Sequence, residues 1–406
     1  MHDINISTNS GFSDDRLNRI REWSAGYIRA GKLPCAITAI MRRGELAFLD
    51  VQGFSDVESQ TPIQSDSLFR IFSMTKIITS VAAMMLYEEG HFQLDDPLSA
   101  YIPAFKDMQV WAGGTAESMK MVPTLTPITI KHVMTHTAGF TYAFNDPTAP
   151  IESLYEARNL DFDPKGSVLS QWVEELAAVP LMFQPGERWN YSVATDVLGH
   201  LVEVISGQDL NTFFSERIFK PLNMADTSFA VSESALRRLA SFYKYKAGDR
   251  MSVIETAETS TFRPPIERYQ GGGGLVSTAS DYLRFLEMMR NGGIFDDARL
   301  LGPKTIQFMT ANHLPGDLAS MGQLRFGESS FEGVGFGLGV AVMLDPAKAQ
   351  VLCSAGEYNW GGAASTACWV DPREEISAVY LTQLYPSSTY PLRRELRTLV
   401  YQALID

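Results

Sequence analysis

Apolar positions at Leu17, Ile20, Trp23 and Ile28 recur at helical spacing behind the acidic start Asp14-Asp15. They predict an amphipathic helix over residues 14–31. The period then changes. "PCAITAIMRRGELAFLDVQGF" holds two β-type runs broken at Arg42-Arg43-Gly44, the pattern of a hairpin. After the short run "LFRIF" the chain turns almost wholly apolar at Ser73, with Lys76 the only charge before Glu88, and reads as a buried helix opening at Ser73. From about Leu94 to Ile266, helical patches alternate with Pro, Gly and Asx breakers, and strand signal is sparse. "GGGGLVSTASDYLRFLEMMRNGG" predicts a tight turn, then a helix capped at Ser277 or Ser280 and closed by Gly292-Gly293. Strand-type runs return at Gly337–Leu344, Gln350–Ser354, Ala364–Val370 and Ile376–Leu381. "PLRRELRTLVYQAL" closes the chain as an amphipathic helix.

Strands at both ends with helices between them imply an α/β fold of the α+β type. One antiparallel sheet flanked by helices is expected from residues 1–90 and 267–406, with a mainly helical domain, residues 91–266, inserted. The 406 residues leave room for two domains, and a composition of 45% apolar and 20% charged residues is that of a globular protein. A net charge of −13 without any run of Lys or Arg argues against nucleic acid and anionic membranes as partners. Three cysteines, Cys35, Cys353 and Cys368, are too few and odd in number for a disulfide framework. The amino terminus lacks a basic segment followed by an apolar run, so no signal peptide is expected. No stretch approaches the ~18 apolar residues of a membrane span. The expected compartment is the reducing cytoplasm.

Ser73 and Lys76 form S-x-x-K. Positions i and i+3 share a helix face, which brings the amine to the hydroxyl. An alcohol needs a base within hydrogen-bond reach to act as a nucleophile, and an amine serves as that base where burial disfavours its charged form. Taken alone, the pair reads rather as a capping serine and a lysine reaching for solvent. Tyr191-Ser192, after the turn at Pro185-Gly186, precedes a helix carrying Leu198, Leu201, Val202 and Ile205; the tyrosine is either core packing or a proton relay beside Lys76. "YNWGGAAST", Tyr358–Thr366, sets paired glycines in a strand, which marks a β-bulge or a place where a substrate approaches the backbone. His132 and His136 have the spacing of zinc ligands, but Val133 stands where H-E-x-x-H requires Glu, so a structural role is favoured. Gly271–Gly274 has no P-loop spacing and reads as a turn. No G-x-S-x-G occurs, which removes the main competing nucleophile.

Taken together, "SMTK", "HVMTHTAGF", "FQPGERWNYSVATDVLGHLVEVISGQ", "IFKPLNMADTSF", the glycine-rich turn and "WGGAASTACWVDP" resemble the serine β-lactamase and penicillin-binding-protein superfamily. The resemblance is to its class C β-lactamase-like carboxylesterases, the family VIII esterases, and runs in family order from Phe69 to Pro372. It implies a cleft between the sheet domain and an all-helical one. It implies further that Ser73 is the nucleophile, Lys76 its motif partner and Tyr191 the tyrosine of Tyr-x-Asn. Trp360-Gly361-Gly362 stands at the Lys-Thr-Gly position, where it would bind substrate, and the amides of Ser73 and Ala363 would form the oxyanion hole. Two departures, Val193 for Asn and Trp360 for Lys, remove groups that meet the amide and carboxylate of a lactam. The expected activity is therefore serine carboxylesterase action on short-chain esters through an acyl-enzyme; acyl transfer to an alcohol, or weak lactamase or peptidase activity, are the alternatives. The expected partner is a small-molecule ester, with no metal or organic cofactor and no particular oligomeric state implied. The pocket's shape is expected to depend on the surroundings of Trp111, Tyr142 and Phe144.

Overall fold

The structure, a computed structural model, describes residues 10–248, 250–326 and 329–406. The stretch read as lacking a signal sequence lies partly outside these, at residues 1–9. Helix α1 (Asp14–Arg29) leads into the hairpin of β1 (Cys35–Arg42) and β2 (Glu45–Asp56). Its loop residues Arg43 (φ 53°) and Gly44 (φ 83°) are both left-handed, as a two-residue loop must be to follow the twist of the strands. Strand β3 (Thr61–Pro62) and helix α2 (Thr75–Glu88) follow. Much later come α3 (Ala194–Ser206), α4 (Ala279–Arg290), β4 (Val334–Phe336), β5 (Ala341–Met343), β6 (Tyr358–Gly361), β7 (Ala367–Asp371), β8 (Ile376–Leu381) and α5 (Leu392–Tyr401). The strands form an eight-stranded sheet in the order β4-β5-β6-β7-β8-β1-β2-β3, antiparallel at every pairing.

Alternation along each strand sorts the side chains between two cores. Cys35, Ile37, Ala39 and Met41 of β1 join Cys368, Val370, Val379 and Leu381 in the larger core, which includes α2 and α4. Ala36 and Ile40 face the other way with Trp369, Ala378 and Tyr380, against Leu17 and Ile20 of α1 and Leu396 and Val400 of α5. The sheet is thus covered on both sides, and every residue of β1 is buried. No helix among the described residues is long and apolar enough to cross a membrane.

Several elements differ from their sequence patterns. The stretch with sparse strand signal holds two hairpins, Gln109–Thr115 with Ser118–Pro123 and Phe242–Lys246 with Arg250–Glu255. Their exposed positions mix Gly114, Ser118, Lys120 and Arg250 with the apolar Met121, Val122, Val253 and Ile254, so neither face is consistently apolar and period-2 hydrophobicity is lost. Gly337–Leu344 is not one strand: the chain turns at Gly339 (φ 93°), where a Cβ would strike Ser80 of α2. Gln350–Ser354 is no strand either, because Gln350 (φ 55°) ends a short helix, Pro346–Ala349. The cap of α4 is Thr278, whose hydroxyl accepts from the Asp281 amide; Ser277 instead pairs with Phe69 in a two-stranded ladder. That ladder, Phe69–Arg70 against Val276–Ser277, ties the approach to Ser73 directly to the glycine-rich turn some 200 residues on.

Candidate active site

Ser73 lies in a 3-10 turn, Phe72–Met74, that runs straight into α2. Phe72 (φ 42°) is left-handed, a strained conformation for an aromatic residue and one that tends to occur at functional sites. The Ser73 hydroxyl does not cap the helix. It accepts from Tyr191 Oη at 2.5 Å and from Lys76 Nζ at 3.3 Å. Lys76 does not reach solvent: it is 1% exposed. Its amine also donates to the Gly272 carbonyl at 2.6 Å and to Tyr142 Oη at 2.9 Å, and lies 4.8 Å from the Tyr191 ring centroid. The three contacts fill the three positions around an sp³ nitrogen. A carbonyl only accepts, so Gly272 fixes one N–H.

Side chains beyond the expected catalytic set hold this arrangement. The Gly272 amide donates to Asp196 Oδ1 at 2.8 Å, and the Gly271 carbonyl accepts from Thr79 at 2.7 Å. The turn Gly271–Gly274 is therefore pinned from α2 and α3, and one of its peptides positions Lys76. Burial raises the Asp196 carboxyl above its usual range, opposed by the Lys76 charge and the Gly272 N–H. Tyr142 is pushed well above a normal phenol by burial and by Tyr191, which keeps it protonated. Asn145 Nδ2 donates to the Tyr191 carbonyl at 2.9 Å and Asn190 Nδ2 to that of Phe140 at 2.9 Å, bracing the segment that carries Tyr191. The two histidines do not converge. His132 Nδ1 accepts from the Thr129 amide that opens its own short helix. His136 shares a hydrogen bond with Ser192 at 3.0 Å and touches the Tyr191 ring, and burial with the nearby Lys76 charge holds it neutral. Among the described residues no group of three His, Cys, Asp or Glu side chains is placed to hold a metal.

The opposite wall is the end of β6. This strand is not at the sheet edge, yet β5 pairs only with Tyr358 and Asn359, so Trp360 and Gly361 are bonded on one side alone, to β7. The chain then turns through Gly362, whose amide donates to the Thr366 carbonyl at 3.0 Å. A Cβ at Gly362 would lie 2.3 Å from the Ile71 carbonyl oxygen and 2.4 Å from Thr366 Oγ1. The glycine thus lets the strand end approach the Ser73 turn. Ala363 follows, and among the described residues neither its amide nor that of Ser73 donates to a backbone carbonyl. Both residues line a cleft of about 640 Å³. Trp360 packs against Tyr191 and Phe336 with ring centroids 5.4 and 5.5 Å away. Tyr142 and Phe144 also line the cleft, whereas Trp111 lies elsewhere, on the hairpin strand Gln109–Thr115. Val193 is fully buried at the start of α3 and presents nothing to the cleft.

A sheet of this order, with a half-buried serine beside a buried lysine and tyrosine at its cleft, belongs to the class of β-lactamase-like serine hydrolases. The Beta-lactamase family model matches residues 20–402. Esterase EstB of Burkholderia gladioli is 30% identical over 393 residues, 92% of either chain. Protein Rv1367c of Mycobacterium tuberculosis is 35% identical over 360 residues, 88% of this chain and 87% of its own. Among solved structures, EstCE1, "a hydrolase with promiscuous acyltransferase activity", is similar with a TM-score of 0.79 at 28% identity, over 96% of this chain and 99% of that one. The chain belongs to the beta-lactamase family, on the branch that holds esterases and acyltransferases.

Proposed function

We propose that the protein is a serine carboxylesterase that hydrolyses short-chain esters through an acyl-enzyme. One observation carries the reading: Ser73 Oγ receives Tyr191 at 2.5 Å and Lys76 at 3.3 Å at the waist of an apolar cleft. In this mechanism Ser73 Oγ attacks the ester carbonyl carbon while its proton passes to Lys76 and Tyr191, which share the general-base role. The amides of Ser73 and Ala363 hold the oxyanion, and Trp360, Gly361 and Gly362 form the wall along which the substrate lies. The carbon–oxygen bond to the alcohol then breaks, and Tyr191 returns the proton to the departing alkoxide. Water attacks the acyl-Ser73 ester by the same route in reverse, releasing the acid. The three cysteines without disulfide partners agree with a reducing cytoplasm. The apolar lining, which favours an alcohol over water as acceptor, also supports acyl transfer as a second activity.

Ser73→Ala tests the nucleophile. It removes one hydroxyl that caps no helix, so the fold should survive while hydrolysis of nitrophenyl esters and labelling by a fluorophosphonate both disappear. Retained turnover above a few per cent of wild type, or labelling elsewhere, counts against the assignment.

A further inference from the structure

Two separate aromatic clusters line the cleft, and they meet only at Ser73. Tyr191, its hydrogen-bond partner, belongs to one cluster, with Tyr142, Phe144, Trp189 and Trp360. Phe72, its chain neighbour, belongs to the other: its ring lies 5.7 Å from Phe162 and 5.3 Å from Phe242. No ring contact joins the two clusters among the described residues. Phe72 (φ 42°) and Ser73, adjacent in the chain, thus meet different clusters, the one by its ring and the other by its hydroxyl.

The stereochemistry of the acyl-transfer step assigns a ligand to each side. A tetrahedral carbon on Ser73 Oγ carries three further groups. The two amides take the oxyanion. The alkoxide must leave beside the group that returns its proton, which places the alcohol over the Tyr191 cluster. The acyl group takes what remains, the side of Phe72. There Phe162 is backed by Phe262, 1% exposed and stacked on it at 5.7 Å, with the buried Arg70 guanidinium 5.8 Å from the Phe262 ring. A site walled by aromatic rings suits another ring, which gains edge-to-face contacts, better than a long linear chain, which gains none.

We propose that Phe72, Phe162 and Phe242 form the acyl-binding site, and that it takes a compact aromatic acyl group such as phenylacetyl. The assignment rests on the acyl-enzyme reading given above. Gly273 provides a way to test it. A Cβ there would sit 3.6 Å from the Phe162 ring, in ordinary contact, so Gly273→Ala narrows the site without forcing the backbone. Two ester series separate the arms: nitrophenyl acetate, phenylacetate and octanoate vary the acyl group, and ethyl and benzyl acetate vary the alcohol.

Wild type should prefer phenylacetate to octanoate in kcat/KM. Gly273→Ala should lower the phenylacetate-to-acetate ratio by about tenfold or more while moving the benzyl-to-ethyl ratio less than about threefold. Phe162→Ala, which widens the same site, should raise octanoate relative to phenylacetate. Phe331→Ala, on the Tyr191 side, should move the alcohol ratio and not the acyl ratio. Preference for octanoate, or a Gly273→Ala effect confined to the alcohol series, overturns the assignment. Mass spectrometry of enzyme quenched during phenylacetate turnover separates the two readings: turnover without an acyl adduct on Ser73 rejects the acyl-enzyme itself, whereas an adduct with unsorted ratios rejects only the acyl site.

Discussion

The two walls of the cleft are built on opposite terms. Around Lys76, on the side of α2 and α3, the polar groups are committed: the amine holds Ser73, Tyr142 and Gly272, and the Gly272 amide holds Asp196. Along Trp360–Ala363 the backbone is paired on one side only and leaves an amide toward the cleft. A buried amine with one contact missing would pay a desolvation cost of about 1–3 kcal/mol or more, so the first wall must be complete before substrate arrives. In the proposed mechanism the second gains from being incomplete, since its missing acceptor would be the oxyanion. Rigidity on one side and unmet hydrogen bonds on the other are what a preorganised acyl-transfer site requires.

Removing the commitments of the first wall should have the largest effect. Lys76→Ala and Tyr191→Phe should each lower kcat by about 10²–10⁴, and the double variant should lose little more than the worse single one, because groups moving one proton act as a unit. Multiplicative losses in steady-state kinetics would show two independent roles.

On the second wall, Gly362→Ala forces a Cβ against the Ile71 carbonyl and should displace the Ala363 amide. Loss of one oxyanion donor costs about 10²–10³ in kcat, so a fall of that order, with KM little changed and the protein still folded by circular dichroism, is expected. A kcat within about threefold of wild type would mean that this glycine does not set the amide.

Trp360→Lys tests what the second wall excludes. A hydrogen bond to a charged group is worth about 1.5–3 kcal/mol, or roughly ten- to a hundred-and-fifty-fold at about 1.4 kcal/mol per decade. The variant should raise the ratio of cephalosporin to nitrophenyl ester hydrolysis toward the low end of that range, because Val193 still offers the amide nothing. Wild type should hydrolyse short nitrophenyl esters efficiently and cephalosporins barely; a higher kcat/KM on a cephalosporin than on the best ester would defeat the esterase reading.

The smallest effect is a pH limb. Asp161 accepts the Ala143 amide at 3.0 Å and that of Phe144, holding the segment that aims Tyr142 at Lys76. Burial raises its carboxyl from 3.8 to about 6. As pH falls through about 6 the carboxylate is lost, and kcat/KM should drop by about two- to tenfold, the worth of one net hydrogen bond. Stability runs the other way. The fold disfavours the ionised form, so this residue's contribution is whole below 3.8 and is lost as pH rises through about 6. Asp161→Asn should flatten both profiles near pH 6, measured as rate and as melting temperature.

Much of this was legible in the chain because it is local. The hairpin at Arg43-Gly44 follows from period-2 runs around a turn pair, α1 and α5 from amphipathic spacing, and the Ser73–Lys76 contact from one turn of helix. The motif order from Phe69 to Pro372 sufficed for the family. The hairpins at Gln109–Pro123 and Phe242–Glu255 were not legible, because solvent-facing strands mix polar residues into both registers.

What the sequence by itself determined was which residues carry reactive groups and which neighbours a helix or strand brings to them within a few positions. Tertiary structure alone decided the rest. Gly272 meets Lys76 across 196 positions, and Tyr191 meets Ser73 across 118. Gly362 closes on Ile71, and Trp111 stays away from the cleft while Phe144 enters it. Hydrophobic periodicity specifies which face of an element is buried, but not which partner covers it. Contacts at long sequence separation depend on how complete surfaces pack, and it is that packing which buries Lys76 and leaves the Ala363 amide open to the cleft.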